Sequence, residues 1–288
     1  MALGKSIRIY LDGGDVSGIR YAEVVNWTGQ ALLFPRSRLA ELAGWASHLS
    51  RPGVYFLIGA EKHTTREVYV GESESVVERI QQHIDKEFWQ EAIAFTSKDE
   101  NLTKSHIKYL ESRVVELAKE AGRYEVQNGP HPTLSGLPRP DKDAMEEFLG
   151  HLRLLLGALG HRLLKPLVEP AESKKVSDSF GRLTFSIKQA VAHGQVTDEG
   201  FVVFKGSTAL AQINPSMGSY TTYKTELVAT GKVLEKGDLL QFKENVLFTS
   251  PTAAAATISG SSVNGRMAWK DAQGRTLKEL EEAQARTE

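Results

Sequence analysis

Six side chains spread over residues 53–128 are of the types that phosphodiester hydrolysis requires. Gly53-Val54-Tyr55 and Tyr69-Val70-Gly71 each offer a tyrosine, Arg79 follows ten residues after Tyr69, His83 comes four later, and Glu111 and Asn128 lie further on. A carboxylate such as Glu111 can hold Mg2+ or Mn2+, hard cations that prefer oxygen ligands and commonly use only one or two carboxylates. Such a metal polarises a phosphate and stabilises the leaving oxygen. Arg79 can neutralise charge developing on the phosphoryl oxygens. A tyrosine within reach of a water can serve as general base where neighbours lower its pKa or accept its proton. Singly, each residue also has an ordinary role: strand tyrosines pack, Arg79 and His83 suit a solvated helix face, Glu111 beside Lys108 and Arg113 suits a surface, and Asn128 before Gly129-Pro130 suits a turn. The ordered set is what points to a site.

The elements that must carry these residues follow from periodicity. Two strand-like runs, 54–59 and 67–71, joined by the polar stretch 60–66, predict a β-hairpin with a long loop. Residues 72–85 have helical spacing, with Val76, Ile80 and Ile84 on one face and Ser73 or Ser75 as cap; Arg79 and His83 then share a face. A strand is expected at 92–96. Over 103–121, Ile107, Leu110, Val114, Leu117 and Ala121 recur at three and four, and Gly122 stands where a terminal glycine belongs, so Glu111 rides on a long helix. Upstream, 6–11 alternates as a strand before the Asp12-Gly13-Gly14 turn, 19–25 reads as its return, and 38–49 as a short helix. Pro130, Pro132, Pro138 and Pro140 mark an irregular connector. Residues 143–164 predict a second helix whose apolar stripe runs from Met145 through Phe148, Leu149, Leu152, Leu155, Leu156 and Leu159 to Leu163. Such a stripe is core packing or a helix-pairing face.

Composition narrows the remaining classes. The 288 residues are 41% hydrophobic and 25% charged, as in ordinary globular proteins, and the length argues for two domains. No apolar run reaches the roughly 18–20 residues a spanning helix needs; the longest, 152–164, contains Arg153, His161 and Arg162. Arg8, Asp12 and Asp15 interrupt any signal-peptide core, so no membrane association and a cytoplasmic location are expected. The absence of cysteine excludes disulfides, thiolate zinc sites and thiol nucleophiles. Net charge is −1 overall, and +1, −3, 0 and +1 over residues 1–50, 51–130, 131–180 and 181–288. A protein relying on non-specific phosphate contacts carries a basic footprint; none appears, so any nucleic-acid contact here must be local.

In order and type, Gly53-Val54-Tyr55, Tyr69-Val70-Gly71, Arg79, His83, Glu111 and Asn128 resemble the GIY-YIG nuclease superfamily. Both tripeptides carry Val in place of Ile, and the thirteen residues between Tyr55 and Tyr69 exceed the family's usual interval, a difference attributed to the 60–66 loop, since loop lengthening costs little. The resemblance covers roughly residues 50–130. It implies a divalent-metal-dependent endonuclease acting on DNA, duplex DNA first among the forms. Tyr55 would be the general base, Tyr69 would position phosphate or water, Arg79 would stabilise the transition state, and His83 would assist phosphate contact or proton relay. Glu111 would ligate a single Mg2+ or Mn2+, and Asn128 would buttress the site. Tyr109 and His106 are accessory candidates on the helix of Glu111. The C-terminal part, through 201–206 and 250–269, resembles the uncharacterised domain that often follows GIY-YIG domains.

The expected fold is therefore an α/β (α+β) catalytic domain, a small antiparallel sheet flanked by helices, with a separate C-terminal α+β domain. Its parts are an N-terminal β-rich extension at 1–50, the nuclease domain at 51–164, a polar proline-bearing linker at 165–177 and the accessory domain at 178–288. In the last, strands are expected at 201–204 and 238–242, and a short helix from Pro251, capped by Ser250 and ended at Gly260. Lys205, Lys224, Arg266 and Lys270 are its candidate phosphate contacts, against the alternative that they are scattered surface charges. Two other readings stand beside the nuclease: a catalytically silent nucleic-acid-binding or protein-interaction module, and an adaptor that uses the leucine stripe of 145–163 as a homodimer face.

Overall fold

The computed structural model describes residues 3–62, 65–129, 136–168 and 180–286, and the chain divides into two units, Met1–Pro166 and Leu167–Glu288. Pro130, Pro132 and most of the expected linker lie outside the described residues.

The first unit is built on one sheet of seven strands: β1 (Ile7–Leu11), β2 (Arg20–Val24), β3 (Gly29–Pro35), β4 (Gly53–Lys62), β5 (Thr65–Ser73), β6 (Trp89–Ser97) and β7 (Tyr124–Val126). Their order is β1-β2-β3-β6-β4-β5-β7. Every pairing is antiparallel except that of β5 with β7. The sheet is thus larger than the small one expected, and residues 3–50 are its outer strands and part of its cover. Strand alternation sorts the central side chains into two layers. Val54, Phe56 and Ile58 join a core with Ile107, Leu110 and Val114 of α3 (Lys104–Ala121) and Leu149, Leu152 and Leu156 of α4 (Arg139–Ala158). Tyr55 and Leu57 face the opposite layer, with Leu42 from a 3-10 helix at Arg36–Trp45, Leu49 from α1 (Ala46–Leu49), and Val76 and Ile80 from α2 (Val76–Gln81).

α3 forms where the spacing predicts, and Gly122 ends it with φ of 64°. Other elements differ for identifiable reasons. β3 is absent from the sequence reading because Gly29 to Phe34 are buried on both faces, leaving no alternation to see. β4 and β5 run further than expected, leaving only 63–64 between them; the extra length sits in longer strands and in a register shift between Ile58 and Glu61, not in a long loop. α2 stops at Gln81, short of Asp85, and Ile84 is exposed. Ser75 holds the N-cap position but its hydroxyl makes no capping bond. α4 begins at Arg139, where Pro138 and Pro140 are tolerated because the first turn's N–H groups have no helical partner. It ends at Ala158, and Gly160 turns the chain at φ of 98°. Every residue of its stripe, from Met145 to Leu163, is buried in its own unit. That corrects the homodimer reading of the stripe: the face is already covered.

The second unit has a four-stranded antiparallel sheet, in spatial order β14-β10-β9-β8, made of β8 (Leu183–Ile187), β9 (Ala190–Thr197), β10 (Gly200–Val203) and β14 (Val246–Phe248). A three-stranded sheet orders β11 (Thr208–Leu210), β13 (Leu239–Phe242) and β12 (Val233–Lys236). Between β11 and β12 the chain forms α5 (Thr221–Ala229), and α6 (Pro251–Ser259) follows β14. The expected cap is made: Ala253 N–H donates to Ser250 Oγ at 3.1 Å, and Gly260 closes the helix with φ of 67°. α6 is buried from Ala253 to Ser259, its small side chains letting it sit inside the unit. The architecture is mixed α and β throughout, and among the described residues no helix is long and apolar enough to cross a membrane.

Candidate active site

The two tripeptides lie on neighbouring strands in a register that places Tyr55 opposite Gly71. Neither glycine needs an unusual φ; close approach requires both. A Cβ on Gly71 would lie 2.4 Å from the Tyr55 Cζ and hydroxyl oxygen, so the tyrosine ring occupies the space any side chain would take. A Cβ on Gly53 would lie 2.2 Å from the Phe95 carbonyl oxygen on β6. The Tyr55 ring is thereby laid along the sheet with its hydroxyl over β5.

Three rings pack around that hydroxyl. Tyr55 and Tyr69 have centroids 6.3 Å apart, and the His83 ring stands 5.9 Å from Tyr55 and edge-on to Tyr69 at 5.3 Å. His83 Nε2 and the Tyr55 hydroxyl form a hydrogen bond of 2.8 Å. Burial, followed by the charges of Lys86 and Arg79, lowers the His83 pKa to about 4, so the imidazole is neutral near pH 7 and available as a hydrogen-bond partner for the Tyr55 hydroxyl. Tyr55, with 0% exposure, is pushed well above the ordinary tyrosine value by burial and then by Tyr69, while Arg79 pulls it back. Tyr69 is only half-buried. Burial and the Glu111 charge raise its pKa; Arg79 and the neighbouring Tyr55 hydroxyl lower it. Tyr69 is thus the accessible member of the pair, and Tyr55 stands behind it against His83. His83 sits on the turn after α2, buried at 6% exposure, and not on a solvated helix face. That placement corrects the expectation that it shares a helical face with Arg79.

Arg79 is exposed, and its Nη1 donates to Gln82 Oε1 at 2.9 Å. Glu111 projects from α3 toward the same region, close enough for its charge to raise both tyrosines. Burial, then the facing Glu72 carboxylate, pushes Glu111 itself up to about 7, against the pull of Lys104, Lys108 and Arg79. Glu72 follows Gly71 directly and pairs with Lys104 Nζ at 3.0 Å. A carboxylate whose charge is disfavoured by a second one facing it suits a divalent cation, which would relieve the repulsion. Among the described residues no group of three or more ligating side chains exists, so such a cation would rest on Glu111 with water and phosphate oxygens, a mode common for Mg2+.

Asn128 supports this cluster through the backbone of β5. Its Oδ1 accepts from Val70 N–H at 3.0 Å and its Nδ2 donates to Val70 C=O at 2.7 Å. With Gln127 N–H bonded to Val68 C=O at 2.8 Å, this side chain prolongs the β7 ladder and fixes the strand between Tyr69 and Gly71. The accessory candidates lie elsewhere: Tyr109 donates to Glu146 of α4 at 2.6 Å, and His106 completes the capping box of α3 with Thr103. In the second unit, Lys224 is buried at 1% exposure with Nζ donating to Gln212 C=O at 2.8 Å, which removes it from the candidate phosphate contacts. Arg266 pairs with Glu281 at 2.6 Å, whereas Lys205 and Lys270 are exposed.

Sequence reading missed Glu72, Lys86 and Arg36. Glu72 has a local signal, its place next to Gly71; the other two are joined to the site only through the fold. Residues 183–281 match a family model described as a domain of unknown function (DUF4357), a match that lies outside the tyrosine–glutamate cluster and whose description names no activity. No curated protein and no solved structure matches the chain.

Proposed function

We propose that the first unit is a divalent-metal-dependent endonuclease of the GIY-YIG kind, hydrolysing DNA phosphodiester bonds. One observation carries the reading: Tyr69, Tyr55 and a neutral His83 form a contiguous chain of proton-holding groups, with Arg79 and Glu111 acting on both tyrosines. Tyr69 is the end that meets water or phosphate. Tyr55, whose own pKa is raised by burial, stands behind Tyr69 and is oriented by its hydrogen bond to His83 Nε2. Arg79 offsets charge on the phosphoryl oxygens. Glu111 would hold the metal, which supplies a Lewis acid at the phosphate. The full burial of Tyr55 favours a second reading, a catalytically silent module that binds nucleic acid through the same surface.

Supercoiled plasmid incubated with the pure chain in Mg2+ or Mn2+ separates the two. Metal-dependent nicking is expected, abolished by EDTA, by Glu111→Ala and by Tyr55→Phe. Cutting that persists unchanged in Glu111→Ala would belong to a contaminant. Absence of cutting on duplex, single-stranded and branched DNA and on RNA would leave the silent module.

A further inference from the structure

The turn after α2 is held far more firmly than an exposed loop needs. His83 N–H bonds to Ile80 C=O at 2.9 Å, Ile84 N–H to Gln81 C=O at 3.1 Å and Lys86 N–H to His83 C=O at 3.1 Å. Arg36, arriving from the end of β3, donates to the carbonyls of Ile84 and Lys86, and at 3.4 Å to that of Trp89, while its guanidinium covers the Trp89 ring at 4.9 Å. Trp89 Nε1 in turn donates to His83 C=O at 3.0 Å. Two side chains from outside the turn therefore take up the carbonyls of His83, Ile84 and Lys86.

The result is to stand Lys86 in one place. Its Nζ lies 4.3 Å over the Tyr69 ring, and its charge reaches His83. Two neighbouring cations are engaged, Arg79 with Gln82 and Lys104 with Glu72 and Glu74, while Lys108 acts on Glu111 from α3. Lys86 has no carboxylate partner among the described residues, and its side chain is exposed. An ammonium above a tyrosine face is attracted by the ring, and it keeps all three donors for a further acceptor. The tyrosine it covers is the accessible one.

We propose that Lys86 is a phosphate-binding residue, contacting the backbone phosphate that flanks the one at Tyr69, and that Arg36 is the positioning residue that holds it there. The inference rests on the nucleic-acid reading of this site and not on turnover. A polyanion bound through fixed cations releases counterions, so each lost contact flattens the salt dependence of binding by about 0.9 in log–log slope on duplex DNA.

The test uses the full chain and a fluorescent duplex oligonucleotide in EDTA, which prevents cutting, with anisotropy followed over a salt series. Lys86→Gln is expected to lower the slope by about 0.9, so that its affinity falls about fourfold less than wild type between roughly 50 and 200 mM salt. Lys86→Arg should keep the wild-type slope, and Lys119→Gln, an exposed lysine further along α3, should change the slope less than Lys86→Gln. Arg36→Gln, checked for native circular dichroism, should reproduce the Lys86→Gln slope, with recovery in Arg36→Lys. An unchanged slope in Lys86→Gln overturns the assignment, as does wild-type protein that does not bind at all. Wild type that binds with the expected slopes but never cuts in Mg2+ or Mn2+ defeats the catalytic reading and leaves Lys86 standing.

Discussion

Gly71 decides whether Tyr55 can lie where it does. The ring fills the volume a Cβ would need, within 2.4 Å of two of its atoms, so Gly71→Ala must rotate the tyrosine or push β5 away from β4. Overpacking of this kind costs about 1–3 kcal/mol, and here the displaced group is the one bonded to His83. The expected outcome is a lower melting temperature together with loss of metal-dependent nicking. An alanine variant that melts and nicks like wild type would show that the ring is free to move. At this scale the sequence was readable where the chemistry and the strand pattern coincide: the two tripeptides fall on two adjacent strand-like runs, while the close approach of Tyr55 to Gly71 appears only in the fold. It was unreadable for Arg36 and Lys86, because a guanidinium bonding carbonyls some fifty residues away leaves no local trace. For Asn128 the buttressing role takes a form the sequence does not display, a side chain that continues the strand ladder beside Val70 in place of a turn.

α4 shows how one apolar stripe can be read correctly as a helix and still be ambiguous in role. Leu152 has 0% exposure and packs with Val54, Phe56 and the α3 leucines and valines in one core. Leu152→Ala should cost about 2–5 kcal/mol, the range for a buried leucine whose surroundings relax only partly. The loss should appear in chemical denaturation while the sedimentation coefficient of the folded protein stays unchanged. A variant that keeps its stability and sediments more slowly would restore the stripe as a contact between copies. Helices were legible because a wide apolar face recurs at three and four with recognisable ends, as in Thr103 and Gly122 around α3. Buried strands were not: β3 is apolar on both sides, and β7 is three residues paired in parallel, too short to carry a period. The end of α2 was equally hidden, since the turn that replaces its last turn is held by side chains from the start of the 3-10 helix after β3 and from β6.

Net charge is −1 over residues 1–166 and 0 over residues 167–288, so neither unit holds a polyanion by bulk attraction; any affinity must come from a few fixed cations, and burying one elsewhere is a cost without that return. Lys224 is such a case. Its ammonium is buried at 1% exposure with one carbonyl partner, Gln212, and burial pushes its pKa down to about 8 from the ordinary 10.5. Between those values the unfolded chain binds more protons at this side chain than the folded one, so stability must rise with pH across the window, by at most about 1.4 kcal/mol per unit. Below about pH 8 both states are protonated and the penalty is constant. Because Lys224 belongs to the second unit, the rise should be confined to one of two melting transitions if the units unfold separately. Lys224→Met removes the titrating group and leaves the Gln212 carbonyl unpaired, which opposes its gain near neutral pH. It should therefore flatten the pH dependence of that transition with little change at pH 7. Scanning calorimetry from pH 7 to 10.5 on both proteins is the measurement. A wild-type transition that does not rise, or a rise that survives in Lys224→Met, would mean that Lys224 is wetter than its packing indicates, and would return it to the exposed cations available for phosphate.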